Sequence, residues 1–153
     1  MTKQAKFTFI DLFAGIGGFR IALESAGGKC VGFSEIDTKA IKVYKDNFDT
    51  SKEEEVGDIT KVDQWPYADI LTGGVPCQSW SIAGKMKGFS DPRGKLWHDT
   101  IKNTEKTKPK GFIYENVKGL ADPRNSQNLN LILSEFDRIG YNTDYRVLNA
   151  FDF

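Results

Sequence analysis

The sequence contains little cysteine and no long apolar segment. Only Cys30 and Cys77 occur among 153 residues, and no apolar stretch near the amino terminus resembles a secretion signal. We therefore expect no disulfide framework, and we expect the protein to reside in a reducing, cytoplasmic compartment. No apolar stretch approaches the roughly 18 residues that a membrane helix needs, so we expect no membrane segment.

The sequence also lacks an excess of either charge. Its 21 lysines and arginines balance 21 aspartates and glutamates, so charge neither favours nor excludes a nucleic acid as partner. Hydrophobic residues make up 39% and charged residues 27% of the chain, which is typical of globular proteins. We expect one domain over residues 1–153.

Short β-rich segments alternate with helical segments along the chain. This order predicts an α/β fold with a doubly wound, mostly parallel sheet and helices on both faces. Between the third strand and the third helix lies a loop of about twenty residues, a length that favours an active-site loop. The predicted strands cover residues 7–12, 30–34, 69–72, 111–114 and 142–149, with a short segment ending at 57–58; the predicted helices cover 19–26, 38–47, 96–104 and 128–139.

A glycine-rich turn joins the first strand to the first helix. Gly15 and Gly17 allow a ligand to approach the backbone closely at the start of the helix, which indicates a nucleotide-like ligand. Arg20 replaces the third glycine of the dinucleotide fingerprint, so a pyrophosphate cofactor fits poorly. Glu35, at the end of the second strand, can accept hydrogen bonds from both ribose hydroxyls, and Asp58 can accept one from an adenine amino group. Alternatively, both acids are solvated loop residues.

Cys77 lies on a loop directly after an apolar strand, where open α/β folds bind ligands. A thiolate there would be a nucleophile if cations lay nearby, whereas Cys30 begins an apolar strand and is interpreted as a packing residue. His98 would make a Cys-His hydrolase possible, but it lies in a predicted helix without an orienting partner, so a structural role is preferred. The candidate cations in the same loop are Lys85, Lys87 and Arg93.

A third group of polar residues, Glu115 and Asn116, follows a strand and is expected at the same edge of the sheet as Glu35 and Cys77. The carboxyl group of Glu115 could meet a base edge. Asn116 could instead hydrogen-bond the local backbone where the strand becomes a loop.

Together these segments closely resemble the cytosine-C5 DNA methyltransferase family over nearly the whole chain. The resemblance rests on four motifs in order, each at the end of a strand, and it implies a Rossmann-like fold that uses S-adenosylmethionine. The motifs are Phe13-Ala14-Gly15-Ile16-Gly17-Gly18-Phe19-Arg20, Gly57-Asp58-Ile59, Pro76-Cys77-Gln78 and Glu115-Asn116-Val117.

The resemblance also implies roles for individual residues. Cys77 would add to C6 of cytosine in double-stranded DNA, Glu115 would hold the N3 and amino edge of the base, and Asn116 would help to position it. The flipped nucleotide would contact Gln78, Ser81 and Arg93, and no metal is implied. The cofactor would contact Phe13, Gly15, Ile16, Gly17, Glu35, Ile36, Asp58, Ile59, Pro76 and Leu96.

The sequence departs from the family at its end and at two internal positions. Val75 stands where the family often has an aromatic residue or proline, and Trp80 stands where it often has phenylalanine. We expect both substitutions to be tolerated. The chain stops at Phe153, where the family continues into a Gln-x-Arg-x-Arg motif and a target-recognition domain. We therefore expect a complementing C-terminal polypeptide or a longer parent. The resemblance also implies a role in restriction-modification and, if the protein is bacterial, association with the nucleoid. Two alternatives stay open: a tRNA cytosine-C5 methyltransferase, and a non-catalytic cofactor-binding or regulatory subunit.

Overall fold

A computed structural model describes residues 4–80, 89 and 94–152. The chain divides into two compact units. The first unit combines Met1–Val75 with Lys102–Glu115, and the second combines Pro76–Ile101 with Asn116–Phe153.

The first unit contains a five-stranded parallel sheet in the order β3-β2-β1-β4-β5. The order reverses between β1 and β4, and open α/β sheets bind ligands at such a switch point. The predicted α/β class is confirmed. The strands are β1 (Phe7–Leu12), β2 (Gly28–Ser34), β3 (Glu54–Glu55), β4 (Ile70–Gly74) and β5 (Gly111–Glu115).

The four helices lie where the sequence predicts them, with ends that differ by up to three residues. The Asp37 carboxylate caps the second helix, because it accepts hydrogen bonds from the backbone N–H groups of Lys39 and Ala40. The inward side of that helix buries Tyr44, whose ring stacks on Phe33 with centroids 4.5 Å apart. The helices are α1 (Gly18–Ser25), α2 (Thr38–Asn47), α3 (Leu96–Thr107) and α4 (Ser126–Arg138).

Cys30 belongs to the core of the first unit. It packs with Phe9 of β1 and Leu23 of α1 and is almost fully buried. Burial raises the pKa of its thiol to about 12, so this thiol stays protonated and unreactive at neutral pH. The packing role predicted for Cys30 agrees with this position.

Polar contacts join three strands at the amino end of the sheet. The Asp69 carboxylate accepts hydrogen bonds from the backbone N–H of Thr8 at 2.8 Å and from its hydroxyl at 3.0 Å. It also pairs with Lys110 at 2.8 Å. Because Lys110 and then Thr8 stabilise the carboxylate, the pKa of Asp69 falls to about 2.

The second unit contains α4 and the short 3-10 segments Lys118–Ala121 and Pro123–Asn125. Leu129, Ile132 and Phe136 form the buried side of α4, at the spacing of one helix face. The strand predicted at residues 142–149 is wrong, since this segment has no regular structure and pairs with no other strand among the described residues. Without a neighbour to complete its hydrogen bonds, an alternating sequence does not form a strand.

Candidate functional site

The sheet brings most of the predicted motifs to one edge. The carboxyl ends of β2, β1, β4 and β5 are neighbours, and this is the edge at which open α/β sheets bind ligands. The glycine turn follows β1 and Glu35 follows β2. Cys77 comes three residues after the end of β4, and Glu115 is the last residue of β5.

Left-handed backbone conformations give the glycine turn its shape. Phe13, Gly15 and Gly17 have φ angles of 53°, 54° and 95°, and the turn is tied to β2 by a hydrogen bond from the Ala14 N–H to the Ser34 carbonyl at 2.9 Å. Non-glycine residues rarely adopt such angles, so Phe13 carries strain at a predicted ligand contact.

The two glycines of the turn face different surroundings. A Cβ atom at Gly17 would lie 2.3 Å from Cε2 of Phe48, so the turn packs directly against the Phe48 ring at the end of α2. A Cβ atom at Gly15 would meet nothing within 4 Å. Gly17 is therefore needed for packing, whereas Gly15 leaves its backbone open to a ligand.

Glu35 is bound directly to the turn. Its Oε2 accepts a hydrogen bond from the Gly15 N–H at 2.8 Å. Its Oε1 accepts from the N–H groups of Ile36 at 2.7 Å and Asp37 at 2.9 Å. The carboxylate thus has a fixed orientation beside the open side of the turn, which does not suit the alternative of a freely solvated loop acid.

The surroundings of Glu35 fit a nucleoside with an amino-acid tail. Ile16 and Ile36 are 64% and 72% exposed, and large apolar side chains at a ligand-binding edge offer surface for a planar base or an aliphatic chain. Oε2 of Glu35 accepts one described hydrogen bond and keeps capacity for a ribose hydroxyl. The cofactor contacts expected of these residues stay predictions.

Asp58 and Ile59 follow β3 and are held locally. The Asp58 carboxylate accepts hydrogen bonds from the N–H of Thr60 at 3.0 Å and its hydroxyl at 2.8 Å, which lower the Asp58 pKa. The Ile59 side chain is buried, and its carbonyl accepts a hydrogen bond from Nδ2 of Asn103 at 3.0 Å. The predicted strand segment ends at residues 57–58, whereas β3 ends at Glu55, and Asp58 instead caps the segment that begins at Ile59.

A buried polar cluster beneath the turn was not predicted from the sequence. Asp11 of β1 is 1% exposed, and its Oδ2 accepts a hydrogen bond from the Tyr44 hydroxyl at 3.5 Å, while Oδ1 has no described partner. Burial raises the pKa of Asp11 to about 7, although Tyr44 and Arg20 lower it. The available signal was the charge itself, because a carboxylate inside an otherwise apolar strand needs an internal partner.

Glu115 lies beside the end of β4. It pairs in register with Gly74, and a Cβ atom at Gly74 would lie 3.3 Å from Oε2 of Glu115. The residue is exposed, so its carboxyl group is accessible at the carboxyl edge of the sheet. The neighbouring Gly73 is enclosed, since a Cβ atom there would lie 2.3 Å from the Leu12 carbonyl.

Five further candidates belong to the second unit. Cys77 is half-buried, and its carbonyl accepts a hydrogen bond from the Trp80 N–H at 2.9 Å, which closes a turn. Asn116 accepts a hydrogen bond from the N–H of Val117 at 2.9 Å, as the structural alternative predicts. The remaining three are the half-buried Pro76 and Leu96 and the exposed Gln78.

Several predictions concern residues of the loop that follows Cys77 or residues next to it. Ser81, Arg93 and the two loop lysines, Lys85 and Lys87, lie outside the described residues. His98 stacks on Phe89 with centroids 4.6 Å apart, which agrees with a structural role. Both departures from the family pattern are buried, with Val75 2% and Trp80 0% exposed.

In the part of the chain that the structure describes, there is neither a candidate metal site nor a candidate membrane helix. Within residues 4–80, 89 and 94–152, no group of three or more His, Cys, Asp and Glu side chains could hold a metal ion. Within the same ranges, no helix is both long and apolar enough to cross a membrane.

The parallel sheet and its strand order define an α/β protein with a Rossmann-like fold, and comparisons with known proteins identify the family. Residues 7–153 match the family model of C-5 cytosine-specific DNA methylases. The chain belongs to this family.

Relatives agree with this assignment. The Type II methyltransferase M.HgiBI of Herpetosiphon aurantiacus is 56% identical over 97% of this chain and 34% of its own length. M.HhaI of Haemophilus parahaemolyticus is 46% identical over 95% of this chain and 44% of its own length. A crystal structure of a prophage-encoded E. coli protein assigned as a DNA modification methyltransferase has a TM-score of 0.70 and 26% identity, over 87% of this chain and 38% of that one. The chain thus spans about a third to under a half of the relatives that it matches.

Proposed function

We propose that this chain is the cofactor-binding and catalytic part of a DNA (cytosine-5-)-methyltransferase. The observation that carries the proposal is the order of groups along the carboxyl edge of the sheet. The open glycine turn follows β1, the fixed carboxylate of Glu35 follows β2, and Glu115 ends β5. In the sequence, Cys77 comes three residues after the end of β4. Membership of the family supports this arrangement as a methyltransferase site.

The cofactor of the proposed site is S-adenosylmethionine, which when bound supplies an electrophilic methyl group. Glu35 would accept a hydrogen bond from the ribose, since its carboxylate already has a fixed orientation. Phe13, Gly15, Ile16 and Gly17 would bind the remainder of the molecule along the turn. By the resemblance to the family, the adenine and the remainder of the cofactor would also contact Ile36, Asp58, Ile59, Pro76 and Leu96.

Cys77 would be the nucleophile. The C5 atom of cytosine is too weak a nucleophile to accept a methyl group directly, so the thiolate adds to C6 and makes C5 electron-rich. Glu115 would donate a hydrogen bond or proton to the N3 edge of the ring, a contribution typically worth about a hundredfold or more in rate. Asn116 would position the same edge, while Gln78, Ser81 and Arg93 would contact the extruded nucleotide.

Methyl transfer would need more residues than this chain contains. The chain matches only 34% of the length of M.HgiBI, so we propose that residues equivalent to the other two thirds select the target and complete the site. They would belong to the same polypeptide or to a separate one. Double-stranded DNA is the proposed substrate, within a cytoplasmic restriction-modification system, and the family match favours DNA over tRNA.

The experiment is a methyl-transfer assay with labelled S-adenosylmethionine and a panel of DNA and RNA duplexes. The chain alone should bind the cofactor weakly and transfer no detectable methyl group. Adding a polypeptide equivalent to the remaining two thirds of M.HgiBI should produce transfer to DNA, and Glu35→Ala should weaken cofactor binding. Robust methylation of DNA by the 153-residue chain alone would contradict the proposed division of roles.

A further inference from the structure

Arg20 is the most heavily bonded buried cation among the described residues. It lies in α1, three residues after Gly17, yet its side chain is only 5% exposed. Both terminal nitrogens donate hydrogen bonds of 2.7 Å to the two carboxylate oxygens of Glu53. Its Nε donates to Glu24 at 2.9 Å, and Nη1 also donates to the Tyr44 hydroxyl at 3.4 Å. Such a two-pronged pair has a defined geometry as well as a favourable energy.

The guanidinium also supports the aromatic residues beneath the glycine turn. Its central carbon lies 4.4 Å from the centroid of the Phe48 ring and 5.3 Å from that of Tyr44. The Phe48 ring is the group that a side chain at Gly17 would strike. Arg20 lies in α1, the helix that begins at the turn, and it contacts the same Phe48 ring on which the turn packs.

Glu53, the ion-pair partner of Arg20, lies in the segment that continues through β3 to Asp58, a second proposed cofactor contact. Glu53 immediately precedes β3, where Glu54 pairs with Gly32. The following residues are tied to β2, because the N–H of Val56 donates to the Phe33 carbonyl at 2.8 Å. The Gly57 carbonyl accepts a hydrogen bond from the Ser34 hydroxyl at 2.6 Å. Asp58 comes next, so the ion pair connects the helix of the glycine turn with the segment that carries Asp58.

We propose that Arg20 is a positioning residue for cofactor binding, which holds the glycine turn and the Asp58 segment at the separation that one cofactor molecule spans. The inference rests on the proposed function, because it assumes that the cofactor touches both elements. Arg20 itself is buried and acts through Glu53 and Phe48. The affinity for a ligand that contacts both elements should therefore depend on Arg20 more strongly than the affinity for a ligand that lacks the group contacting the turn.

Two ligands separate these cases. S-adenosylhomocysteine carries both the nucleoside and the amino-acid tail, whereas 5′-methylthioadenosine lacks the tail that would lie along the turn. Titration calorimetry would measure the dissociation constant of each ligand for the 153-residue chain and its variants. Urea unfolding would establish that each variant is folded at the temperature of the titration.

The variants are Arg20→Lys, which keeps the charge but loses the paired geometry, and Glu53→Gln, which keeps the shape of the partner. Each should weaken S-adenosylhomocysteine binding by roughly tenfold or more and 5′-methylthioadenosine binding by less than about threefold, as expected for misplacement of one contact surface. Arg138→Lys is the matched control, because it alters an exposed ion pair with Glu135 on α4. It should leave both constants unchanged.

Two results would overturn the inference. One is binding of S-adenosylhomocysteine within about twofold of wild type in both variants, a change too small to indicate a misplaced contact. The other is an equal loss of affinity for both ligands, because this would indicate that Arg20 has only a general structural role. If the wild-type chain fails to bind S-adenosylhomocysteine at all, the proposed function fails instead. Weaker binding in Glu35→Ala with wild-type behaviour of Arg20→Lys would uphold the function and reject the role of Arg20.

Discussion

Substituting alanine at the two turn glycines should separate a loss of cofactor affinity at Gly15 from a larger loss of stability at Gly17. Both residues have positive φ angles, 54° at Gly15 and 95° at Gly17, so each Gly→Ala change costs about 1–2 kcal/mol of backbone strain. The surroundings make the difference. At Gly17 the new methyl group would lie 2.3 Å and 2.8 Å from two atoms of the Phe48 ring, whereas at Gly15 it would meet open space.

The magnitude for Gly17→Ala follows from these contacts. Inserting a methyl group into a packed region typically costs about 1–3 kcal/mol, depending on how far the neighbouring group, here the half-buried Phe48 ring, can move. Together with the backbone strain, the free energy of unfolding should fall by about 2–5 kcal/mol. Gly15→Ala should lower it by only about 1–2 kcal/mol.

Equilibrium unfolding in urea and calorimetric titration with S-adenosylhomocysteine would test both effects on the same preparations. Gly15→Ala should stay folded and lose affinity, because its methyl group occupies the open space that we assign to the cofactor. Gly17→Ala should be the less stable variant. Equal destabilisation by the two changes, or wild-type affinity in Gly15→Ala, would refute the distinction.

Three further predictions concern stability. The pKa of Asp11 is raised to about 7, so its ionisation destabilises the fold as the pH rises from about 4 to about 7. The stability of Asp11→Asn relative to wild type should therefore increase across that range, by roughly 4 kcal/mol at most, in urea unfolding at several pH values. The pKa of Asp69 is lowered to about 2, so the stability that wild type has over Asp69→Asn should be full above about pH 4 and disappear as the pH falls through about 2; an advantage independent of pH would contradict this. Phe136→Ala should lower the free energy of unfolding by about 3–5 kcal/mol, because the ring is 2% exposed, and a loss below 1 kcal/mol would contradict its role in the core.

Local sequence signals predicted most of the first unit. Strand β1 and helix α2 have the predicted ends, because an apolar strand followed by glycines and an aspartate cap before a helical pattern are both short-range signals. The segment 142–149 shows the limit of such signals. Its alternation is that of a strand, but strand formation depends on a neighbour that a local pattern cannot supply.

The candidate site was predictable where its residues follow strands. Glu35 and Glu115 lie at the expected edge because parallel strands end together. The sequence did not predict that Glu35 is bound to Gly15 or that Arg20 reaches Glu53 across 33 residues. Those contacts depend on the packing of α1 and α2, which no pairwise spacing in the sequence specifies.

The most direct test of the central claim is covalent trapping of the nucleophile. The chain would be combined with a polypeptide equivalent to the remaining two thirds of M.HgiBI, with S-adenosylmethionine and with a duplex that contains 5-fluorocytosine. The fluorine at C5 prevents release of the thiol. Wild type and Cys30→Ser should form a denaturant-resistant complex with the DNA, and Cys77→Ser should form none. A complex that persists in Cys77→Ser would contradict the assignment of Cys77 as the nucleophile.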